Sequence, residues 1–330
     1  MTGTYLNHEC GMYGEIKIFA GTASEDLADE VACYLEAPLS DHTLTHFAND
    51  NLWIQLNESV RGQDVYIIQT TSKPVHRNLM ELLIMLQTLR LDSAGRVTAV
   101  VPYLCYTRSD KKDKPRVPIT ARLVADMIEV AGADRYMTLD MHAGQIQGFF
   151  SIPGDVLYAF HVLIDPLKKL IAAAKNPVMV SPDLGFAKKA RNYAAALDLP
   201  LTFIEKRRLS NAPTAKALTM IGDVKDKDCF LLDEEISTGN TIVTAVKLLK
   251  EHGARTITNI FIHPVLAPGA VEKLVSLPID RFITTDTIPI SPEKKALFGE
   301  KLTIHSIAPL LGEVIHRANA GISVGQLFNE

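Results

Sequence analysis

The chain has 330 residues, of which 47% are hydrophobic and 22% charged, and its formal net charge is −4. This length allows two domains of ordinary size, and this balance is that of a globular protein with a sizeable core. The slightly negative charge argues against a dedicated nucleic-acid binder, which usually carries a strongly basic domain.

Export and membrane insertion are not expected either. The sequence has no run of about 18 apolar residues, as a membrane-spanning helix needs, and no basic start followed by an apolar stretch, as a secretory signal has. The four cysteines are scattered without a C-x-x-C pair, which favours reduced thiols over a disulfide frame or a zinc site. We therefore expect a cytoplasmic protein that binds neither membranes nor nucleic acid.

Short β-branched runs alternate with stretches whose apolar residues recur at helical spacing. The predicted elements, in chain order, are strand 15–21, helix 24–37, strand 64–71, helix 78–91, strand 96–104, helix 119–132, strand 135–141, strand 177–183, helix 186–197, strand 201–207, strand 229–234, helix 241–253, strand 256–265 and strand 281–287. Several of these strands are apolar on both faces, which is typical of a parallel sheet covered by helices on both sides.

This alternation predicts an α/β protein with doubly wound, mostly parallel sheets. Because nine strands are predicted, two sheets are more plausible than one. A stretch with glycine and proline precedes residues 155–168, where we place the boundary. The predicted domains are residues 12–164 and 165–330.

The segment CFLLDEEISTGNT (229–241) runs from an apolar strand through three acids into small hydroxyl residues. Ligands bind at the carboxyl ends of strands in open parallel sheets. The loop Ser-Thr-Gly-Asn-Thr offers backbone N–H groups, hydroxyls and a helix N-terminus, which together form an anion site. Asp233 and Glu234 can accept hydrogen bonds from sugar hydroxyls or bind Mg²⁺ through water. A phosphate site beside acceptors for two hydroxyls fits a ribose 5-phosphate. These residues alone leave an alternative open, namely an acidic strand end followed by an ordinary helix cap.

Other polar segments are ambiguous when taken alone. RSDKKDKPR (108–116) is typical of a solvated charged loop, FANDN (47–51) of a turn, and EKRRLSNAPTAK (205–216) of a surface loop. His142 follows a predicted strand beside Asp140, but a lone histidine is usually structural. The chain has neither a Walker A loop nor a G-x-G-x-x-G motif, so any phosphate site is built differently.

Many separate stretches resemble the phosphoribosyl pyrophosphate synthetase (ribose-phosphate pyrophosphokinase) family, from about Glu15 to about Ile290. They are NESVRG (57–62), NLMELLIML (78–86), DKKDKPR (110–116), AGADRYMTLDMHAGQIQGFF (131–150), VSPD (180–183), EKRR (205–208), IGDVKDKD (221–228) and TTDTIP (284–289). The resemblance implies two phosphoribosyltransferase-type lobes, with the ribose 5-phosphate loop on the second.

The resemblance also implies an activity, ribose-phosphate diphosphokinase. This enzyme transfers the diphosphoryl group of ATP to O1 of ribose 5-phosphate and gives phosphoribosyl pyrophosphate and AMP. The implied catalytic residues are Lys206 and Arg208, on a mobile loop that closes over the reacting phosphates. The implied ribose 5-phosphate residues are Asp233, Glu234, Ser237, Thr238, Gly239, Asn240 and Thr241.

ATP and its metal have implied sites of their own. Phe47 stacks on adenine and Arg108 contacts the phosphates, and the implied ATP residues are Phe47, Asn49, Asn51, Arg108, Ser109 and Asp113. Mg²⁺ is the implied cofactor. His142 and Asp183, one on each lobe, help to hold it with ATP, and Asp140 lies nearby.

Regulation and assembly are implied in the same way. Inorganic phosphate is the implied activator, and it competes with ADP at an anion site that includes Ser59, Arg61 and Arg116. The hairpin that carries Phe47 completes a neighbouring subunit's adenine site in the family. This implies a homo-oligomer built from dimers, with a hexamer expected.

The chain departs from the family pattern within these sites. The departing residues are Asn51, Ser109, Ser151, Phe186, Glu234, Glu235 and Ser237, together with the stretch HPVLAPGA (263–270). Because the charged residues at the implied catalytic centre remain, an active synthetase is the first interpretation. Two alternatives stay open: a catalytically weak paralogue that binds the same ligands and regulates an active synthetase, and a related transferase with a changed donor or acceptor.

Overall fold

The computed structural model describes residues 13–208 and 216–325, which pack into two compact units. The first unit runs to Leu157 and takes up the chain again from Ala308, and the second runs from Tyr158 to Ile307. The predicted domains, residues 12–164 and 165–330, place the last helix in the C-terminal half, whereas this helix belongs to the first unit.

The first unit is built on a parallel sheet. Its strand order is β1 (Ile16–Ala20), β4 (Asp64–Ile68), β5 (Arg96–Val101), β6 (Arg135–Leu139) and β7 (Gly154–Leu157). A separate antiparallel hairpin comprises β2 (His42–His46) and β3 (Leu52–Leu56). The helices are α1 (Glu25–Tyr34), α2 (Val75–Leu91), α3 (Thr120–Ala131) and α9 (Ala308–Ala320), with a 3-10 turn at Gly144–Phe149.

The central strands explain why this sheet is covered by helices. Every residue of β4 and β5 is buried, as expected for strands with apolar side chains on both faces. At the edge of the sheet, Gly154 pairs with Tyr136, and a Cβ at Gly154 would lie 2.0 Å from the tyrosine ring. That ring stacks on Phe150 with centroids 3.8 Å apart, so only glycine lets β7 pass beside it.

A buried polar cluster ties α9 to the first unit. The carboxylate of Asp64, which is fully buried, accepts hydrogen bonds from Arg96 Nε at 2.7 Å and from Asn319 Nδ2 at 2.9 Å. Arg96 also donates to the carbonyl oxygen of Ala318 at 3.1 Å. The end of the chain is therefore held by residues of β4 and β5 that lie more than 200 positions earlier.

The second unit has a larger sheet. Its strand order is β10 (Lys216–Ile221), β9 (Leu201–Arg208), β8 (Val178–Ser181), β11 (Asp228–Glu235), β12 (Thr256–His263), β13 (Arg281–Thr285) and β14 (Leu302–His305). The helices are α4 (Phe160–Ala172), α5 (Ala187–Ala196), α6 (Asn240–Glu251), α7 (Ala270–Val275) and α8 (Pro292–Phe298), with a 3-10 turn at Gly299–Lys301.

The connections in this sheet reverse direction between β8 and β11. From β8 the chain moves outward to β9 and β10, then returns to β11 on the other side of β8 and continues to β14. Among the described strand pairs of this sheet, only β9 and β10 are antiparallel. A reversal of this kind opens a crevice at the carboxyl ends of the two central strands, where ligands bind in such sheets.

The predicted fold class is confirmed: the protein is an α/β protein with parallel sheets flanked by helices. Several short strands had no clear pattern in the sequence, and the residue-based prediction omitted β2, β3, β7, β10 and β14. In the part of the chain that the structure describes, no helix is long and apolar enough to cross a membrane.

Candidate active-site residues in the two units

In the second unit, the polar strand ends singled out in the sequence come together at the sheet reversal. Strands β8 and β11 are neighbours, with Val180 opposite Leu231. Asp183 lies two residues beyond β8, and Asp233, Glu234 and Glu235 end β11. Acidic side chains therefore stand at the adjoining carboxyl ends of two parallel strands.

The predicted phosphate loop leads directly into α6. Gly239 precedes the helix with a φ of 75°, a left-handed conformation that favours glycine, and its carbonyl oxygen accepts the N–H of Val243 at 2.9 Å. Behind the loop, the N–H of Ala267 donates to the carbonyl oxygen of Ser237 at 3.0 Å. The loop is thus fixed from one side, and exposed Thr238 and Asn240 stand at a helix N-terminus that favours anions.

Lys273 of α7 braces the same loop, a role that the sequence did not reveal. Its Nζ lies 3.5 Å from the carbonyl oxygen of Thr238 and 3.3 Å from Oδ1 of Asn240. Because the lysine comes from a helix more than 30 residues later in the chain, only the tertiary structure brings it to the loop.

The acids at the end of β11 have defined partners. The N–H of Glu234 donates to Oδ1 of Asp233 at 2.8 Å. Oε2 of Glu234 lies 3.5 Å from Nζ of Lys189, which belongs to α5. Asp233 is half-buried, whereas Glu234 and Glu235 are buried. Lys189 is the second cation near these loops that sequence reasoning did not single out.

Asp183 organises the turn from β8 into α5. Its Oδ1 accepts the N–H of Phe186 at 3.2 Å, and its carbonyl oxygen accepts a hydrogen bond from Ser181 Oγ at 2.8 Å. Phe186 itself is only 5% exposed, and its carbonyl oxygen accepts the N–H of Ala190 at 3.0 Å. Phe186, which stands where the family pattern has glycine, is therefore packed inward.

The two predicted catalytic residues lie at the end of β9. In the antiparallel ladder with β10, Lys206 pairs with Leu218 and Arg208 pairs with Lys216. The surface loop predicted for 205–216 thus begins and ends within a strand pair, and its residues 209–215 lie outside the described residues. The catalytic roles of Lys206 and Arg208 stay predictions.

In the first unit, the predicted adenine-binding residues form the tip of the β2–β3 hairpin. The N–H of Phe47 donates to the carbonyl oxygen of Asn51 at 2.9 Å, and the N–H of Asn51 donates to Oδ1 of Asn49 at 3.2 Å. These bonds close a tight turn, and the ring of Phe47 is 51% exposed. An exposed aromatic ring at a hairpin tip is available for stacking, but its contact with ATP stays a prediction.

The basic loop after β5 carries the other predicted ATP residues. Arg108 and Asp113 are exposed. Oγ of Ser109 accepts the N–H of Thr120 at 3.2 Å, so the serine is bonded to the N-terminus of α3. The neighbouring Asp110 is buried and accepts a hydrogen bond from Gln145 Nε2 at 2.8 Å. The loop is therefore anchored at 109–110 and presents Arg108 to solvent.

The remaining predicted residues of the first unit occupy separate turns. Asp140 is buried directly after β6 with a φ of 41°, and His142 is exposed two residues later. Ser59 and Arg61 share the turn between β3 and β4, where the N–H of Arg61 donates to Ser59 Oγ at 3.4 Å. Arg116 is exposed in the basic loop. The metal role and the regulatory role of these residues both stay predictions.

Within 13–208 and 216–325, no three side chains of histidine, cysteine, aspartate or glutamate are arranged to hold a metal ion.

Two family profiles match most of the chain. The profile of the N-terminal domain of ribose phosphate pyrophosphokinase matches residues 16–132, and that of the phosphoribosyl synthetase-associated domain matches residues 208–329. Both matches overlap the region that carries the resemblance noted from the sequence, and the second continues beyond it to residue 329.

Curated proteins and a solved structure are similar over nearly the full length. A ribose-phosphate pyrophosphokinase of Campylobacter jejuni is 44% identical over 94% of this chain and 98% of its own. A ribose-phosphate pyrophosphokinase of Haemophilus influenzae is 44% identical over 96% of this chain and 99% of its own. The crystal structure of phosphoribosylpyrophosphate synthetase from Mycobacterium smegmatis has a TM-score of 0.86 and 40% identity, covering 92% of this chain and 98% of that one.

Proposed function

The chain belongs to the ribose-phosphate pyrophosphokinase family, and on this premise we propose that it transfers the diphosphoryl group of ATP to O1 of ribose 5-phosphate. The products are phosphoribosyl pyrophosphate and AMP. The observation that carries the proposal is the phosphate loop and its acids at the sheet reversal, in a chain 44% identical to enzymes of that name. The weak paralogue and the altered transferase are not favoured, because the similarity extends over the whole chain.

Ribose 5-phosphate would bind at the end of β11. The N–H groups and hydroxyls of 237–241 would hold the 5-phosphate, since the helix N-terminus behind them favours negative charge. The carboxylates of Asp233 and Glu234 would accept hydrogen bonds from the sugar hydroxyls. Carboxylates make stronger acceptors than neutral groups, so the pair would fix the orientation of the sugar and of its O1.

Catalysis would depend on positioning and charge. Phosphoryl transfer requires alignment of the attacking oxygen and stabilisation of the charge on the phosphate oxygens, and little covalent chemistry by the protein. Lys206 and Arg208 would supply cations at the reacting phosphates, and Arg108 would contact ATP. We assign no general base.

Of the residues implied to hold Mg²⁺, Asp183 suits the ion better than His142 does. Mg²⁺ prefers oxygen ligands and usually keeps several waters beside one or two carboxylates and substrate phosphates. The carboxylate of Asp183 accepts one backbone N–H on Oδ1, and a carboxylate has room for further partners. Imidazole is less suited to Mg²⁺ than carboxylate is, so His142 would act through bound water or phosphate. When bound, the metal would neutralise phosphate charge.

Regulation, assembly and compartment are parts of the same proposal. Ser59, Arg61 and Arg116 would bind inorganic phosphate as an activator, which the exposure of both arginines permits. The chain would form a homo-oligomer built from dimers. Cys33, Cys105 and Cys229 are free thiols, in keeping with a cytoplasmic protein.

An AMP-release assay tests the proposed function. We expect AMP to form only when ATP, Mg²⁺ and ribose 5-phosphate are all present, and to form faster with tens of millimolar phosphate. Binding of both substrates without AMP release would point to the weak paralogue. Release of AMP with another acceptor only would point to the altered transferase. A rate that does not change with phosphate would argue only against the activator site and not against the proposed reaction.

A further inference from the structure

One cation of the second unit faces the sugar-binding acids, yet it belongs to none of the sites described above. Nζ of Lys189 lies 3.5 Å from Oε2 of Glu234, and the two side chains are 20% and 11% exposed. The same Nζ lies 5.7 Å from the centroid of the Phe186 ring. The lysine is therefore held between a buried aromatic ring and a buried carboxylate.

The fold explains this placement. Strands β8 and β11 are adjacent and parallel, and α5 starts shortly after β8. The first turn of α5 consequently lies near the end of β11. Lys189 is the third residue of α5, three positions after Phe186, so the two lie on the same side of the helix start.

The charge of Lys189 offsets the negative charge at the end of β11. Three consecutive acids end β11, and Glu234 as a whole residue is only 9% exposed. A buried carboxylate beside other carboxylates favours its neutral form unless a cation is close. To bind sugar hydroxyls in one orientation, Glu234 must hold its oxygens in one place. An ammonium group 3.5 Å from Oε2 provides that restraint.

Phe186 strengthens the restraint on the lysine. Its ring is buried and the ammonium lies within cation–π distance of it. An ammonium group attracted to a fixed ring samples fewer positions than one in solvent. The turn that places the ring is itself held by the hydrogen bond from the Phe186 N–H to Asp183.

We propose that Lys189 is a positioning residue for Glu234, and that through Glu234 it determines the affinity of this chain for ribose 5-phosphate. The inference rests on the proposed function, because it assigns Glu234 to the sugar. Lys189 itself need not contact the sugar or the reacting phosphates.

Steady-state kinetics of AMP release by the full chain provides the first test. We expect Lys189→Ala to raise KM for ribose 5-phosphate about tenfold or more, the loss typical of a charge-assisted contact. KM for ATP should stay within about twofold, and Lys189→Arg should recover most of the loss because it keeps the cation. Lys188→Ala is the matched control, since Lys188 is an exposed neighbour on the same helix, and should behave as wild type.

A double-mutant cycle separates positioning from other roles. In a Glu234→Gln background, adding Lys189→Ala should change the affinity for ribose 5-phosphate by less than about twofold, because residue 234 then carries no charge for the lysine to position. If this background turns over too slowly, the rise in Tm on adding ribose 5-phosphate and Mg²⁺-ATP reports affinity without turnover. Losses that multiply in the double variant would show that Lys189 acts elsewhere, and would overturn the proposal.

Two further results have distinct meanings. If wild type is active and Lys189→Ala lowers Tm while leaving KM for ribose 5-phosphate unchanged, the lysine is merely structural and the positioning role is wrong. If wild type forms no AMP and its Tm does not respond to ribose 5-phosphate, the proposed function fails, and this inference fails with it.

Discussion

Phe186 shows how one departure from a family pattern can be absorbed by packing. Glycine lets backbone approach phosphate closely because it has no Cβ, so a phenylalanine in its place could have narrowed the turn. Instead Phe186 is 5% exposed, and its ring lies 5.7 Å from Nζ of Lys189 in the first turn of α5. The substitution has therefore added buried apolar surface to the second unit.

Phe186→Gly should consequently destabilise the protein. Removing a buried phenylalanine side chain leaves a cavity and costs about 3 kcal/mol or more, and we expect a lower Tm by calorimetry without faster catalysis. Leu184→Ala in the same turn is the control, since Leu184 is 52% exposed; it should shift stability by no more than about 0.5 kcal/mol. An unchanged Tm together with faster turnover would mean that the ring obstructs the pocket instead.

Lys206→Ala tests the charge that we assign to the catalytic step. If this cation acts mainly in the transition state, its loss should cost about 3 kcal/mol, which is roughly a hundredfold in turnover. Affinity for ATP should change little, because ground-state binding uses other residues. The measurement is kcat and KM from initial rates of AMP release. Turnover within threefold of wild type would remove Lys206 from the mechanism.

At the scale of elements, β11 is anchored at its first residue, Asp228, opposite the end that carries the acids. Oδ1 of Asp228 accepts Thr256 Oγ1 at 2.5 Å, Oδ2 accepts the N–H of Lys175 at 2.7 Å, and Arg255 pairs with the same carboxylate. Burial alone raises the pKa of Asp228, but the hydrogen bonds from Thr256, Lys175 and Arg255 together outweigh it and hold the pKa below its usual range. This carboxylate therefore fixes the central strand that ends in Asp233 and Glu234, the acids proposed to bind the sugar.

The lowered pKa of Asp228 predicts a pH dependence of stability. A carboxyl group whose pKa is lower in the folded state stabilises the fold above its unfolded pKa of about 4, and this contribution is lost as pH falls further, through the folded pKa. We expect Asp228→Asn to lower Tm at pH 7, and the gap from wild type to close as pH falls from 4 to 2. Asp198→Asn, the same charge change at an exposed position, is the control. A gap that stays constant with pH would contradict the ionic role.

What the sequence predicted at this scale depended on local pattern. Apolar runs such as residues 65–68 indicated central strands, and these are present. The acidic end of β11 lies at the sheet reversal, and its role in binding stays a prediction. The return of α9 to the first unit was not predictable, because it depends on Asn319 meeting Asp64 across 255 positions. Lys189 and Lys273 were missed for the same reason: each lies on a helix whose packing alone brings it to the acids or to the loop.

At the scale of the whole molecule, helices α2 and α3 of the first unit expose apolar side chains. Met80, Leu91, Leu123 and Val130 are 50%, 73%, 55% and 83% exposed. An open groove of about 480 Å³ between these helices is lined by Ile84, Met127 and Val130 among others. Apolar surface of this kind is usually covered by a partner, which supports the proposed homo-oligomer.

Light scattering tests the assembly. We expect wild type to form a closed oligomer built from dimers, with the mass of a hexamer. The resemblance implies that Phe47 completes a neighbour's adenine site, and closed symmetry repeats such a contact. Val130→Asp should shift the mass to smaller species and lower activity, since it places a charge on the apolar face. A wild-type monomer with full activity at assay concentration would end this proposal.

The proposed reaction transfers an intact diphosphoryl group from ATP to the sugar, and ³¹P NMR of the reaction mixture detects this transfer. The chain is mixed with Mg²⁺, ATP and ribose 5-phosphate, and the phosphorus products are identified over time. We expect the ATP resonances to give way to those of AMP and of a sugar that carries a diphosphate at C1 and retains its 5-phosphate. Accumulation of ADP with a sugar bisphosphate, or of AMP with free pyrophosphate and unchanged ribose 5-phosphate, would contradict it.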